Sequence, residues 1–176
     1  MAPSLFKRLF SSNSGSPRLA VIQYTRPRAG YGNIGDEEGF HWALVALQND
    51  LAGGPARVEW VLEARDGVDL RRSGSCLGGV YIAKVQKLSF HDLKKAVEST
   101  ATAVGGRLIL TPKEGVPGWN CRDWLVETIV NVLIPNDWVY NDISSQASLL
   151  PRLKEASRQS AEALAAGDVV VVVEYK

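Results

Sequence analysis

The hydrophobic pattern divides the chain into a first half of extended segments and a second half that is mostly helical. Residues 18–24 (RLAVIQY) form a short, almost continuously apolar run, which predicts a strand. Residues 26–39 hold four glycines and one proline and predict a long irregular loop. The apolar run 40–47 (FHWALVAL) follows, short enough for a buried strand. Turn chemistry over 48–55 (QNDLAGGP) then joins it to a further extended segment, 56–64 (ARVEWVLEA), so the two runs predict a β-hairpin. After a basic, glycine-containing loop that carries Arg71, Arg72 and Cys76, residues 79–85 (GVYIAKV) predict another strand. Strands that follow one another without intervening helices favour antiparallel pairing over a βαβ arrangement.

Helical signals dominate the rest. Ser89 followed by Asp92 resembles a capping box, and Leu93, Ala96 and Val97 supply an apolar face, so a helix is expected over about 90–100. Residues 107–111 can return as a strand. The loop 112–119 (PKEGVPGW) leads to a helix that begins at Asn120 or Cys121, because Asn is a good N-cap and Trp124, Leu125, Thr128, Ile129 and Val132 recur at helical spacing; Pro135 ends it. Residues 136–150 show no clear period. Residues 152–166 read as a helix with Leu153, Ala156 and Leu164 on its buried stripe, and the five valines 169–173 read as a strand buried on both faces. The expected fold class is therefore α+β, a mainly antiparallel sheet packed against helices. Residues 1–17 are expected to be a basic flexible segment and 18–176 one domain.

A chain of 176 residues, 45% apolar and 22% charged, has the composition of a globular protein with a proper core. Its formal charge of +1 is too balanced for a nucleic-acid footprint, so no nucleic-acid partner is expected. The charge is unevenly spread: Lys7, Arg8, Arg18, Arg26 and Arg28 precede the first acidic residue, Asp36. Together with Leu5, Phe6, Leu9 and Phe10 at helical spacing, this basic end is compatible with a mitochondrial presequence, with peripheral contact to an anionic membrane, or with a simple tail. Two cysteines, no secretory core and no long apolar run favour a reducing, cytoplasmic setting. The two Cys and two His are scattered singly, so no metal is expected, and no cofactor motif occurs; Gly30, Gly32 and Gly35 lack the Lys-Ser/Thr ending of a phosphate loop.

The candidate chemistry lies in Cys121 and His41. A thiol in the first turn of a helix has its anion favoured by unsatisfied backbone N–H groups and the helix dipole. The glycines before it leave room for a substrate. Of the two histidines, His91 falls in the first turn of a helix, where a surface role suffices, whereas His41 opens an apolar strand that holds its imidazole in a fixed direction, which makes it the better base. Cys76, with no base nearby in its loop, reads as structural. Trp119 is placed to form a pocket wall beside the thiol.

The strand FHWALVAL and the helix start WNCRDWLVETI resemble the His-Trp-Ala-Leu strand and the Asn-Cys-x-x-aromatic-Val helix start of the lecithin:retinol acyltransferase-like proteins, which belong to the circularly permuted papain-like thiol enzymes. In both the His strand precedes the Cys helix. The resemblance implies a permuted papain-like core with Cys121 as nucleophile and His41 as base, acting on an ester or amide through a covalent acyl-enzyme. The substrate it implies is a small molecule, a lipid or a peptide. Two departures matter. The acyltransferases carry a second His on the next strand, and 56–64 contains none; a regular hairpin centred on 51–54 puts Glu63 nearest to His41 as the orienting acid, with Glu59 as the fallback. Arg122 and Asp123 also replace an acid and a His, so Arg122 is either a binder of an anionic substrate group or a solvated first-turn side chain. Asn120 and Trp119 complete the expected substrate-binding set. The alternative function is a catalytically inactive papain-like scaffold that binds a protein or an anionic membrane, and a Cys121 sulfur more than about 6 Å from either His41 ring nitrogen would favour it.

Overall fold

The computed structural model describes residues 18–26, 39–48, 57–61, 74–84, 92–93, 95–96, 102–104, 107–109 and 120–176, and shows an α+β arrangement. Strands β1 (Arg18–Tyr24), β2 (His41–Gln48), β3 (Arg57–Val61), β4 (Cys76–Tyr81) and β7 (Val172–Glu174) form one sheet in the order β3-β2-β1-β4-β7. Strands β5 (Thr102–Val104) and β6 (Arg107–Ile109) pair separately as an antiparallel ribbon. Helix α1 covers Cys121–Thr128 and continues as a π-helical turn, Ile129–Leu133; helix α2 covers Gln146–Ala165.

The continuous apolar run of β1 has the reason its pattern suggested. Leu19 and Val21 face one way, against Trp42, Leu44, Val80 and Ile82 of neighbouring strands and Trp124, Leu125 and Ile129 of α1. Ala20 and Ile22 face the other way, with Ala43, Val45, Cys76 and Tyr81. Both faces of the strand are thus covered, and each fully buried Val, Leu or Ile contributes about 1.5–3 kcal/mol of transfer free energy. Gln23, a polar residue within β1, is also fully buried. Its Nε2 donates to Leu153 O at 2.7 Å and to Ser157 Oγ, so its amide fastens α2 onto the sheet.

Within the five-stranded sheet three of the strand pairs are antiparallel, as the sequence pattern leads one to expect; the fourth, β4 with β7, is parallel. Several elements differ from the sequence expectation. β4 begins at Cys76, three residues early, because this segment pairs back to Tyr24 across an irregularity in the β1 register. Cys76 is therefore a buried strand residue and not part of a loop. Helix α2 begins at Gln146, ahead of Pro151; the buried Leu149 and Leu153 hold the turn around the proline against the core, which outweighs the lost backbone hydrogen bond. The C-terminal valines are not buried on both faces. β7 starts only at Val172 and is the outer strand of the sheet, and residues 169–173 are all half-buried. Finally, β5 carries no signal strong enough to be read from sequence.

The approach of α2 to the sheet is close enough to require a glycine. Gly78 in β4 has φ +97°, and a methyl group built on it would lie 2.5 Å from Ser160 Oγ, nearer still to Val171 O, and 3.2 Å from Ala156 O. Ser160 also accepts the backbone N–H of Val171 at 2.8 Å, so helix α2, β4 and the entry to β7 meet at this point. On the other flank, Ala83 and Val139 form an antiparallel bridge, with Lys84 N donating to Trp138 O at 2.9 Å, which ties the end of β4 to the turn after α1. Among the described residues no helix is long and apolar enough to cross a membrane.

Candidate active site

Cys121 is the first residue of α1, and the local sequence explains why the helix starts there. Asn120 is extended (φ −147°, ψ −174°) and its Oδ1 accepts the backbone N–H of Arg122 at 2.9 Å. In return Asp123 Oδ2 accepts the backbone N–H of Asn120 at 2.9 Å, completing a capping box. The first intrahelical bond runs from Trp124 N to Asn120 O at 3.1 Å. Trp124 and Leu125 are buried, which fixes α1 on the sheet and leaves the half-buried Cys121 at its N-terminal, electropositive end.

His41 is the first residue of β2, immediately before the buried Trp42. Cross-strand pairing sets it opposite Tyr24 of β1, and the two rings are tilted by 39° with centroids 6.3 Å apart. His41 Nδ1 lies 3.0 Å from Cys121 Sγ. Eighty residues of chain separate the two, and the start of a strand and the start of a helix bring them to hydrogen-bonding distance. With Nδ1 unprotonated the ring accepts the S–H; with the proton transferred it donates to the thiolate. Either arrangement lets the proton pass directly between sulfur and nitrogen.

The remaining expected site residues have different placements. Asn120 acts as the helix cap, and its Oδ1 also accepts Arg122 Nε at 3.3 Å. Arg122 is half-buried and not a freely solvated side chain; its guanidinium carbon is 6.0 Å from the centre of the Trp42 ring, at the outer limit of a cation–π contact. Glu63 and Trp119 lie outside the described residues, as do His91 and the glycine-rich loops 27–38 and 112–119. Glu59, the fallback acid, is at the β2–β3 register shift: Trp60 pairs with Ala46 and Val58 with Leu47, so Glu59 falls between them. That position is five residues along β2 from His41, roughly 17 Å at about 3.3 Å per residue, too far to orient the imidazole.

Two contributors to the site went unread in the sequence. Tyr24 flanks His41, and burial pushes its hydroxyl well above the usual tyrosine range, with a smaller contribution from Cys76. Only the strand register reveals that neighbour. Asp123 closes the cap and also accepts Gln146 Nε2 at 2.5 Å, a link from α1 to the first turn of α2. The spacing Asn120-x-x-Asp123 is that of a capping box and was a usable signal. Cys76 sits elsewhere in the sheet, buried, with its thiol pushed up to about 11 by desolvation; neither cysteine is in a disulfide. Among the described residues no group of three or more His, Cys, Asp or Glu side chains is arranged to hold a metal ion.

Comparison of the chain with protein-family models, with curated proteins and with solved structures finds no match.

Proposed function

We propose that the chain is a cysteine-dependent hydrolase or acyltransferase that acts on an ester or amide, built on a permuted papain-like core. The observation that carries this reading is the 3.0 Å approach of His41 Nδ1 to Cys121 Sγ at the N-terminus of a capped helix. A separation of more than about 6 Å, beyond the reach of proton transfer between the two groups, would have favoured the inactive-scaffold reading.

In the proposed reaction His41 Nδ1 takes the proton of the Cys121 thiol as the sulfur attacks the carbonyl carbon of the substrate. The resulting oxyanion develops beside the positive end of the α1 dipole, which lowers its energy. As the tetrahedral adduct collapses, the bond to the leaving alcohol or amine breaks and His41 returns the proton to it, leaving an acyl thioester on Cys121. Water, or the hydroxyl or amine of an acceptor, then gives its proton to His41 and attacks the thioester; the acyl group departs and the sulfur recovers its proton. Substrates consistent with this chemistry are small esters, lipids and peptide amides.

Acylation by a nitrophenyl ester at neutral pH tests the reading. One equivalent of nitrophenolate should be released in a burst, with the acyl mass found on the peptide containing Cys121. Cys121→Ala should abolish the burst, and His41→Ala should slow it by about 10²–10⁴-fold, the usual contribution of a general base. Acylation of Cys121 no faster than in the denatured chain, or unchanged in His41→Ala, refutes it.

A further inference from the structure

The Asp123 carboxylate joins three pieces of chain around the thiol. Its Oδ2 holds the backbone N–H of Asn120, the residue before Cys121, at 2.9 Å, and its Oδ1 holds Gln146 Nε2, on the first residue of α2, at 2.5 Å. Asn120 Oδ1 in turn accepts both the backbone N–H and Nε of Arg122, the residue after Cys121. The thiol is therefore bracketed by two residues that are bonded to each other, and the bracket is anchored on α2. Helix α2 is itself fastened to β1 through Gln23, and β1 pairs with the strand that begins at His41. The contacts close a ring that runs from His41 through β2, β1, α2, Gln146, Asp123 and Asn120 to Cys121.

We propose that Asp123 is the positioning residue of the dyad: by clamping Asn120 to Gln146 it fixes the first turn of α1 so that Cys121 Sγ stays within reach of His41 Nδ1. The inference rests on the cysteine-hydrolase reading above. A helix's first turn is the part most prone to fray, because its N–H groups have no intrahelical acceptors. A nucleophile placed there needs an external constraint, since a displacement of about 1 Å at a reacting atom costs on the order of 10²-fold in rate. Asp123 supplies that constraint through hydrogen bonds, so an uncharged group that can still bond both Asn120 and Gln146 should replace it.

The experiment compares Asp123→Ala, Asp123→Asn, Gln146→Ala and Ser160→Ala. It measures Cys121 acylation by a nitrophenyl ester, Cys121 alkylation by iodoacetamide, and urea stability. Asp123→Ala should acylate about 10–100-fold more slowly, with the loss in the rate at saturation and not in the ester concentration required. Asp123→Asn keeps an acceptor for Asn120 N–H, and its Nδ2 can donate to Gln146 Oε1 once that amide turns over, so it should stay within about 3-fold of the wild type. Gln146→Ala removes only the α2 anchor and should slow acylation about 3–10-fold. Ser160→Ala, at the far end of α2, loses stability without touching the thiol turn and should retain full rate. Wild-type acylation and alkylation in Asp123→Ala overturn the proposal. An equal loss in Asp123→Asn overturns it in favour of a charge effect, and an equal loss in Ser160→Ala overturns it in favour of stability alone. If Asp123→Ala does not fold, Gln146→Ala decides, and a wild-type rate there overturns it. His41→Ala separates this inference from its premise: an unchanged rate in that variant sinks the cysteine-hydrolase reading, whereas a slow His41→Ala beside a fully active Asp123→Ala sinks only the role of Asp123.

Discussion

Replacing Gly78 with alanine should destabilise the protein more than any other single methyl addition considered for its described glycines that have positive φ. Two costs combine. At φ +97° a side chain sits in a sparsely populated backbone region, a strain of about 1–3 kcal/mol. The added methyl would also meet Ser160 Oγ at 2.5 Å and, closer, the backbone oxygen of Val171, with Ala156 O at 3.2 Å. Two of these three atoms belong to backbone and cannot rotate away, so α2 or the entry to β7 must shift, an overpacking cost of about 1–3 kcal/mol. The total of about 2–6 kcal/mol is a large fraction of the 5–15 kcal/mol typical of a domain.

Gly167 separates the two terms. Its φ is +81° but nothing lies within 4 Å of the position a methyl would take, so Gly167→Ala should lose only the backbone part, about 1–2 kcal/mol. Urea unfolding followed by tryptophan fluorescence measures both. With m near 2 kcal/mol/M, a loss of about 4 kcal/mol in Gly78→Ala moves the midpoint by about 2 M, against less than about 1 M for Gly167→Ala. Equal midpoints in the two variants would refute the reasoning, because they would mean that α2 does not approach β4 as closely as described.

Two further outcomes follow from buried groups. Thr128 is 2% exposed and its Oγ1 has no hydrogen-bond partner among the described residues, so Thr128→Val, nearly isosteric, should stabilise by about 1 kcal/mol in the same urea assay; a loss of stability would show that the hydroxyl is bonded in solution. The second concerns alkaline pH. Burial lifts the Cys76 thiol from 9.0 to about 11, so below pH 9 folded and unfolded chains both keep its proton and pH has no leverage. Between about 9 and about 11 the unfolded chain releases the proton while the folded one retains it, so stability falls by about 1.4 kcal/mol per pH unit. Tyr24 adds a loss of the same sign above pH 10. Between pH 8.5 and 10.5 wild type should therefore lose about 2 kcal/mol more than Cys76→Ala, and equal losses would count against the buried thiol.

Legibility in the sequence followed how local each signal was. β1 could be read to the residue because an unbroken apolar run needs both faces covered, and α1 because Asn120 is a cap followed by apolar residues at helical spacing. The start of α2 was misplaced because Pro151 looks like a helix start, while what carries the helix past it is burial of Leu149 and Leu153 against elements distant in sequence. β4 was misplaced for a similar reason: Gly78 reads as loop chemistry, yet it is glycine because α2 lies against it. The register offset at Glu59 is equally non-local; a hairpin counted from its turn assumes regular pairing, and one extra residue on β3 moves every later partner. At the site, the identities of Cys121 and His41 were legible from residue type and element position. Their 3.0 Å separation was not, since no periodicity spans eighty residues. The Asp123 cap has the spacing already recognised at Ser89 and Asp92, but its second bond, to Gln146, depends on how α1 and α2 pack.

The dyad is made from the ends of elements, and each end is held by an aromatic anchor a short step away. His41 opens β2, and the next residue, Trp42, is 1% exposed; Cys121 opens α1, and Trp124, one helical turn on, is 6% exposed. Both indoles lie in the same core cluster between sheet and helix, so the two backbones from which the imidazole and the thiol project are fixed relative to each other by that shared packing. An end position also leaves the side chain out of its own element's packing: both residues are half-buried, while Phe40 and Trp42 beside His41, and Trp124 and Leu125 one turn on from Cys121, are buried. The arrangement divides the work along the sequence. The tryptophans and the β1 core supply the free energy that holds strand to helix. The capping bonds of Asn120, Asp123 and Gln146 fix the last few degrees of freedom at the thiol. On the cysteine-hydrolase reading, substitution at His41 or Cys121 should therefore cost acylation rate far more than stability in urea.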